Sequence, residues 1–176
     1  MIPAATTAAT SYREKTLSRL QGRDPLTVLA DTLPALRSAT AGLSPDALRK
    51  PEKVGKWSVL QAVWHLADHE IVASFRLRLV LAQPEPRLQG YDETLWMASL
   101  GYERREMAPA LRQFEILRSV NLDLLKGLSP AQFERVGLHD ERGPETLRML
   151  AGLTAGHDIV HLAQIERIRK TIGVEA

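Results

Sequence analysis

Two histidines four residues apart are the strongest chemical signal in this sequence. His157 and His161 lie in the segment GLTAGHDIVHLAQIERI. On a helix this spacing places both imidazoles on one face, about one turn apart, where they can bind the same metal ion. A pair does not complete a metal site, and His65 and His69 form a second pair with the same spacing, so the spacing alone is weak evidence for a metal. A third ligand is therefore needed, and His65 is the candidate.

The helix that carries His65 has a polar stripe. At 100° per residue, Gln61, Asp68, His69 and Arg76 all fall within about 60° of His65. Lys, Glu and Arg would dominate a stripe that only faced bulk water. The residue types found here instead indicate the wall of a cavity.

The face around His157 and His161 is mostly apolar, with Gln164 embedded in it. Gly152 and Gly156 flank His157, and each destabilises a helix interior by about 1 kcal/mol relative to alanine. They indicate either the close approach of another helix or room for a ligand. Histidines on such a face are more often structural residues than metal ligands. The spacing alone therefore leaves both interpretations open.

The composition is that of a soluble globular protein. The 176 residues are enough for one domain, with 44% apolar and 25% charged residues. The 23 Lys and Arg exceed the 21 Asp and Glu by two and are scattered, which favours a charge-mixed surface over nucleic-acid binding. The sequence has no cysteine, which leaves histidines and carboxylates as metal ligands. No segment resembles a secretory signal or approaches the roughly 18 apolar residues of a membrane span, so we expect a cytoplasmic protein without a membrane partner.

Four long helices are predicted to position the histidines, and strand patterns are nearly absent. Their predicted bounds are Pro25 to about Ala41, Ser58 to about Ala82, about Glu103 to Lys126, and Pro144 to about Ile172. The first and third are each followed by a Ser-Pro start of a short connecting helix. We expect an all-α four-helix bundle of two helical hairpins with short connecting helices. Residues 1–12 are expected to form a flexible N-terminal tail and residues 13–176 a single domain.

Three stretches resemble the DinB/YfiT-like superfamily in their order and spacing. They are PEKVGKWSVLQAVWHLADHE, AQPEPRLQGYDETLW and HDERGPETLRMLAGLTAGHDIVHLAQI, and the resemblance covers roughly residues 24 to 172. The sequence departs from the family pattern at Asp140, which follows His139 where YfiT-like members carry a proline. It also has Val160 and Gln164 where some members have additional histidines.

The resemblance implies a divalent metal, zinc or nickel, held by His65, His157 and His161. Three neutral imidazoles leave a coordination position open for water or substrate. A water there could act as hydroxide in hydrolysis, and a thiol could be deprotonated there and attack an electrophile. The resemblance favours a low-molecular-weight-thiol S-transferase. The alternatives are a metal-dependent hydrolase and a non-catalytic, metal-stabilised stress-response or binding module. The family resemblance also implies a homodimer and a small-molecule substrate.

Further residues near the proposed ligands have two interpretations each. Asp68 is either a surface carboxylate or a partner that orients an imidazole. Gln164 either contacts a metal-bound water or substrate, or is an amide at the edge of the core. Tyr91 and Trp96 either line the mouth of a pocket or pack the connector QPEPRLQGYDE that follows the second long helix. His69 is a candidate for the cavity lining but matches a ligand position poorly, and no role is predicted for His139.

Overall fold

The computed structural model describes residues 6–173, apart from the side chain of Ala9. The helices are α1 (Thr7–Ser18), α2 (Pro25–Thr40), α3 (Pro45–Arg49), α4 (Val59–Ala82), α5 (Glu93–Ser99), α6 (Met107–Lys126), α7 (Pro130–Phe133) and α8 (Leu147–Thr171). The strands are β1 (Arg87–Leu88), β2 (Val136–His139) and β3 (Gly143–Thr146), and a 3-10 helix covers Tyr102–Arg104. None of the helices in the described range is long and apolar enough to cross a membrane.

The long helices α2, α4, α6 and α8 form the predicted bundle. Their order around it differs from two hairpins, because α2 and α4 each pack against both α6 and α8. Consecutive helices α2 and α4 therefore lie across a diagonal, while α4 and α6 are neighbours. Residues 41–58, which include α3, form a connection long enough to cross between the diagonal positions.

Side-chain caps define the starts of α2 and α4, as the sequence predicts. The carboxylate of Asp24 accepts a hydrogen bond from the backbone N–H of Thr27 at 2.9 Å. At α4, Ser58 and Gln61 form a reciprocal capping box with distances of 2.8 and 3.3 Å. Because its start is fixed by this cap, α4 presents His65 at a defined position in the bundle.

A small sheet replaces the predicted start of the fourth helix. Strand β2 pairs antiparallel with β3 and parallel with β1. The buried positions of β2 and β3 hold Gly137, His139, Gly143 and Glu145. These are not apolar residues, so the strands carry no hydrophobic alternation. Helix α8 accordingly begins at Leu147 instead of Pro144, and α6 begins at Met107 because the 3-10 helix occupies its predicted start.

Helix α1 begins inside the segment predicted to be a flexible tail through residue 12. Its first residue is Thr7, whereas residues 1–5 lie outside the described residues. It packs against α8 at two glycines. A Cβ on Gly156 would lie 2.2 Å from the carbonyl oxygen of Thr16, and one on Gly152 would lie 2.8 Å from Cδ2 of Leu17. Both glycines therefore serve the close approach of a helix.

A buried ionic network connects all four bundle helices. Arg118 on α6 binds Glu70 on α4 and Asp158 on α8, each at 2.7 Å. It also donates a hydrogen bond to the carbonyl of Leu29 on α2 at 2.8 Å. Glu70 and Asp158 each directly follow a histidine in the sequence, so the network fixes α4 and α8 relative to one another beside those histidines.

Candidate metal centre

Three imidazoles from α4 and α8 meet at one point. Nε2 of His157 lies 2.9 Å from Nε2 of His65 and 3.1 Å from Nε2 of His161. One ring nitrogen from each of the three lies within 4.8 Å of the other two. His65 is buried, and His157 and His161 are half-buried. The structure thus brings together the three histidines selected from the sequence.

The spacing and charge of these rings fit a divalent cation. Two nitrogens bound to one metal at about 2.0–2.1 Å lie about 2.9 Å apart at a right angle and about 3.3 Å apart at a tetrahedral angle. Burial lowers the pKa of all three histidines, and the pKa of His65 falls to about 3. The rings are therefore neutral at pH 7. A cation between them would relieve the repulsion of nitrogen lone pairs that face one another.

Trp57 packs against two of the three rings. It is stacked on His161 with ring centroids 5.8 Å apart and an interplanar angle of 8°. Its ring lies 5.0 Å from that of His65 in a tilted arrangement. Trp57 directly precedes the capping residue Ser58, so the start of α4 places the indole over the centre. Trp57 lies in the first of the three stretches that resemble the family, but no role was predicted for it.

The two predicted auxiliary residues occupy different environments. Gln164 contacts an imidazole, because its Oε1 lies 2.7 Å from Nδ1 of His161. Asp68 is buried, and its oxygens accept hydrogen bonds from the hydroxyl of Tyr102 and the amide of Gln113, each at 2.7 Å. Neither interpretation of Asp68 is correct: it is not a surface carboxylate, and its hydrogen bonds join α4 to residues 102 and 113 instead of orienting a histidine.

His69 lies beside the centre without belonging to the group of three. Its ring is stacked on His157 at 4.2 Å, and its Nδ1 lies 3.0 Å from the hydroxyl of Tyr91. Tyr91 lines the cavity described below, and Trp96 packs against it with ring centroids 4.7 Å apart. Tyr91 therefore both packs against Trp96 and lines the cavity, so both interpretations describe this residue.

A cavity of about 580 Å³ opens beside the three histidines. Residues of α1, α4, α8, the 90–93 segment and the β2–β3 turn line it. Its apolar wall includes Leu77, Leu150, Leu153 and Val160, and its charged lining residues are Arg76, Glu93, Glu141 and Arg142. A mostly apolar cavity of this size with a few polar groups is typical of small-molecule sites.

His139 organises the turn that brings two of these charged residues to the cavity. Its Nδ1 accepts hydrogen bonds from the backbone N–H groups of Glu141 and Arg142 at 3.2 and 3.3 Å. Asp140, which stands in place of the family's proline, binds the exposed Arg87 at 2.5 Å. His139, the last residue of β2, is thus a buried residue that holds the turn and also lines the cavity.

The sequence of this chain matches a known protein family. The family model of the DinB superfamily matches residues 29–165, and the chain belongs to that superfamily. A protein of Geobacillus thermodenitrificans is 31% identical over 140 residues, which are 79% of each chain. YfiT of Bacillus subtilis is 28% identical over 160 residues, which are 90% of each chain. The names of both relatives propose a metal-dependent hydrolase.

A solved structure shows the same architecture. The structure of YfiT from Bacillus subtilis superposes with a TM-score of 0.81 at 28% sequence identity, covering 86% of this chain and 87% of that one. It is described as having an unusual four-helix bundle topology. The diagonal placement of α2 and α4 gives the present chain a bundle order that differs from consecutive hairpins.

Proposed function

We propose that this protein is a metal-dependent enzyme in which His65, His157 and His161 hold a divalent cation, either zinc or nickel. The convergence of three Nε2 atoms at the wall of a substrate-sized cavity carries the proposal. A cation bound there supplies a Lewis acid that lowers the pKa of a coordinated water or thiol. Three protein ligands beside an open cavity favour an enzyme over a closed structural site.

Residues around the centre hold the imidazoles in place for this role. Gln164 accepts the Nδ1 proton of His161, which leaves Nε2 of that ring free to bind a cation. Trp57 covers His161 from one side and keeps water away from that face. Tyr91 and His69 close the wall on the side of His157.

Transfer of a low-molecular-weight thiol to an electrophile is the reaction that we favour. The family resemblance suggests it, and the cavity has room for a thiol and part of an acceptor. Within the described residues, no carboxylate is hydrogen-bonded to the three histidines. Thiol transfer suits such a site, because a coordinated thiol loses its proton without a neighbouring base. A thiol bound there would release its proton to solvent, and the thiolate would attack the electrophilic carbon, whose leaving group would depart with the electron pair.

Hydrolysis is the second candidate, and Glu93 favours it. Burial lowers the pKa of His161, and the hydrogen bond to Gln164 and the charges of Asp158 and then Glu93 partly oppose this shift. Glu93 also lines the cavity. A carboxylate in that place can accept a proton from an attacking water. The names of the relatives agree with this reaction class.

Metal content tests the centre. Purified protein and its His65→Ala, His157→Ala and His161→Ala variants are analysed by inductively coupled plasma mass spectrometry, with His69→Ala as the matched control. We expect about one metal ion per chain in the wild type and the control, and strongly reduced content in the three variants. Stoichiometric metal in all three variants would overturn the proposed centre.

Activity screens then separate the reaction classes. Zinc- and nickel-loaded protein is assayed for thiol conjugation to electrophiles and for ester and amide hydrolysis. Glu93→Gln should abolish hydrolysis if Glu93 is the base, and it should leave thiol transfer nearly unchanged. Metal binding without turnover in both screens would favour the non-catalytic module. The expected homodimer is measured by light scattering after size-exclusion chromatography.

A further inference from the structure

Arg76 is a buried cation that forms no salt bridge with any carboxylate of the described residues. Its side chain lines the cavity and the residue is only 7% exposed. Nη2 donates a hydrogen bond to the carbonyl of Gln89 at 2.6 Å and lies 3.3 Å from Nε2 of His139. Within the described part of the chain, its Nε is buried and has no hydrogen-bond partner. The positive charge is therefore left without a counter-ion.

Two other arginines with little exposure are neutralised by their neighbours. Arg118 in the core binds two carboxylates at 2.7 Å each. Arg142, on the same cavity wall as Arg76, holds Glu145 through two hydrogen bonds of 2.6 and 3.0 Å. A guanidinium stays protonated when buried, and an unpaired buried charge is unfavourable. An anion that enters the cavity would supply the missing counter-charge.

The two carboxylates among the cavity-lining residues, Glu93 and Glu141, do not act as counter-ions of Arg76. Glu93 and Glu141 are both exposed to solvent, and neither forms a salt bridge with Arg76. Both carboxylates are therefore solvated, and neither is a buried counter-ion of Arg76. The buried part of the wall around Arg76 consequently carries one uncompensated positive charge.

Arg76 lies on the same face of α4 as the histidines. It follows His69 by seven residues and His65 by eleven, which keeps all three on one side of the helix, with Arg76 about 16 Å along the axis from His65. Long side chains on a helix lean towards its N-terminus, which here is the direction of the histidines. Ala73 lines the cavity between them. The cavity lining thus includes both a cation and the candidate metal centre, separated along α4 by His69 and Ala73, and it has an apolar wall.

We propose that Arg76 is a binding subsite for a carboxylate group of the substrate. The single uncompensated charge matches a carboxylate, whose planar oxygens suit the guanidinium fork. The substrate class is then a small organic acid, or a thiol that carries a carboxylate, with an apolar segment along the wall. The link to catalysis rests on the function proposed above, whereas the binding of the carboxylate does not require a metal.

Binding of simple acids to the full-length, EDTA-treated protein tests this subsite. Straight-chain alkanoates of four to eight carbons are titrated by isothermal calorimetry, beside the neutral amides of the same lengths and inorganic phosphate. We expect at least one alkanoate to bind the wild type about tenfold more tightly than its amide, because the charge-assisted hydrogen bond is lost in the amide. Arg76→Gln should remove this preference. Arg78→Gln, an exposed arginine on the same helix, should retain it.

Each other result overturns the proposal. It fails if no alkanoate binds, if acid and amide bind equally, or if Arg76→Gln keeps the preference, and a stronger response to phosphate would exclude a carboxylate subsite. If Arg76→Gln does not fold by circular dichroism, the comparison of acid and amide on the wild type still decides. Metal content is the independent readout: Arg76→Gln should bind metal like the wild type. A wild type that binds no metal but still prefers the acid would contradict the proposed function and leave the subsite standing. A wild type that binds metal but does not prefer the acid would contradict the subsite and leave the proposed function standing.

Discussion

Gln164 determines which nitrogen of His161 faces the other two histidines. The amide oxygen lies 2.7 Å from Nδ1 of His161 and can only accept a hydrogen bond, so the ring proton is on Nδ1. Nε2 of His161 then carries a lone pair, and it lies 3.1 Å from Nε2 of His157. Since Gln164 is on the same helix as the ring that it orients, α8 provides two of the proposed ligands and the residue that prepares one of them.

Replacing Gln164 should change the affinity for zinc. Gln164→Leu removes the acceptor, and we expect zinc to bind about tenfold or more weakly. Gln164→Glu is the control, because its carboxylate still accepts the Nδ1 proton and should keep the wild-type affinity or increase it. Competition with a chromophoric chelator measures both variants. Equal affinity of wild type and Gln164→Leu would show that this hydrogen bond does not prepare the ligand.

Gly156 is the point where α1 approaches α8, and alanine there should destabilise the protein. A Cβ would lie 2.2 Å from the backbone oxygen of Thr16, which cannot move aside without shifting α1. Helix propensity alone favours alanine by about 1 kcal/mol. We nevertheless expect Gly156→Ala to lower the free energy of unfolding by about 2 kcal/mol, because overpacking outweighs propensity.

Gly152→Ala is the matched control on the same helix. Its added methyl group would meet Cδ2 of Leu17 at 2.8 Å, and that side-chain end can rotate away. Urea unfolding of both variants should give a clearly smaller loss for Gly152→Ala. Limited proteolysis should cut α1 faster in Gly156→Ala than in the wild type. Equal stability of the two variants would mean that α1 does not pack closely on Gly156.

The features that the sequence predicted correctly depend on residues close together in the chain. The caps at Asp24 and Ser58 act over three residues, so they are readable without knowledge of the packing. The spacing of His157 and His161 likewise has a fixed meaning on a helix. His65 could be added because its own stripe is polar and the family motif contains it.

The features that sequence reasoning missed depend on packing between distant segments. The diagonal order of α2 and α4 is decided by which apolar faces meet, and a helical pattern does not reveal that. Strands β2 and β3 bury glycine, histidine and glutamate instead of apolar residues, so their alternation is hidden. Asp68 finds its partners at Tyr102 and Gln113, which lie 34 and 45 residues away.

Two of the buried arginines, Arg118 and Arg76, should respond differently to replacement by methionine. Arg118→Met leaves Glu70 and Asp158 buried without their counter-ion, and we expect a loss of about 3–5 kcal/mol in the free energy of unfolding. Arg76→Met removes a buried charge that no carboxylate pairs, so we expect a change below about 1 kcal/mol. Guanidinium chloride unfolding followed by circular dichroism measures both. Equal losses would indicate that Arg76 serves the fold and not a ligand.

Acid should destabilise the protein partly through His139. Burial, and then the charge of Arg142, lower the pKa of His139 to about 4 from an ordinary value near 6.5. Between those values the unfolded chain binds more protons than the folded one, so stability is complete above about pH 6.5 and falls towards pH 4. One such group contributes a slope of at most about 1.4 kcal/mol per pH unit.

His139→Asn keeps a hydrogen-bond acceptor near the backbone N–H groups of Glu141 and Arg142 but does not titrate. Urea unfolding of EDTA-treated protein from pH 4 to 7 should therefore show a smaller slope for His139→Asn than for the wild type, and identical slopes would assign the acid sensitivity to other groups.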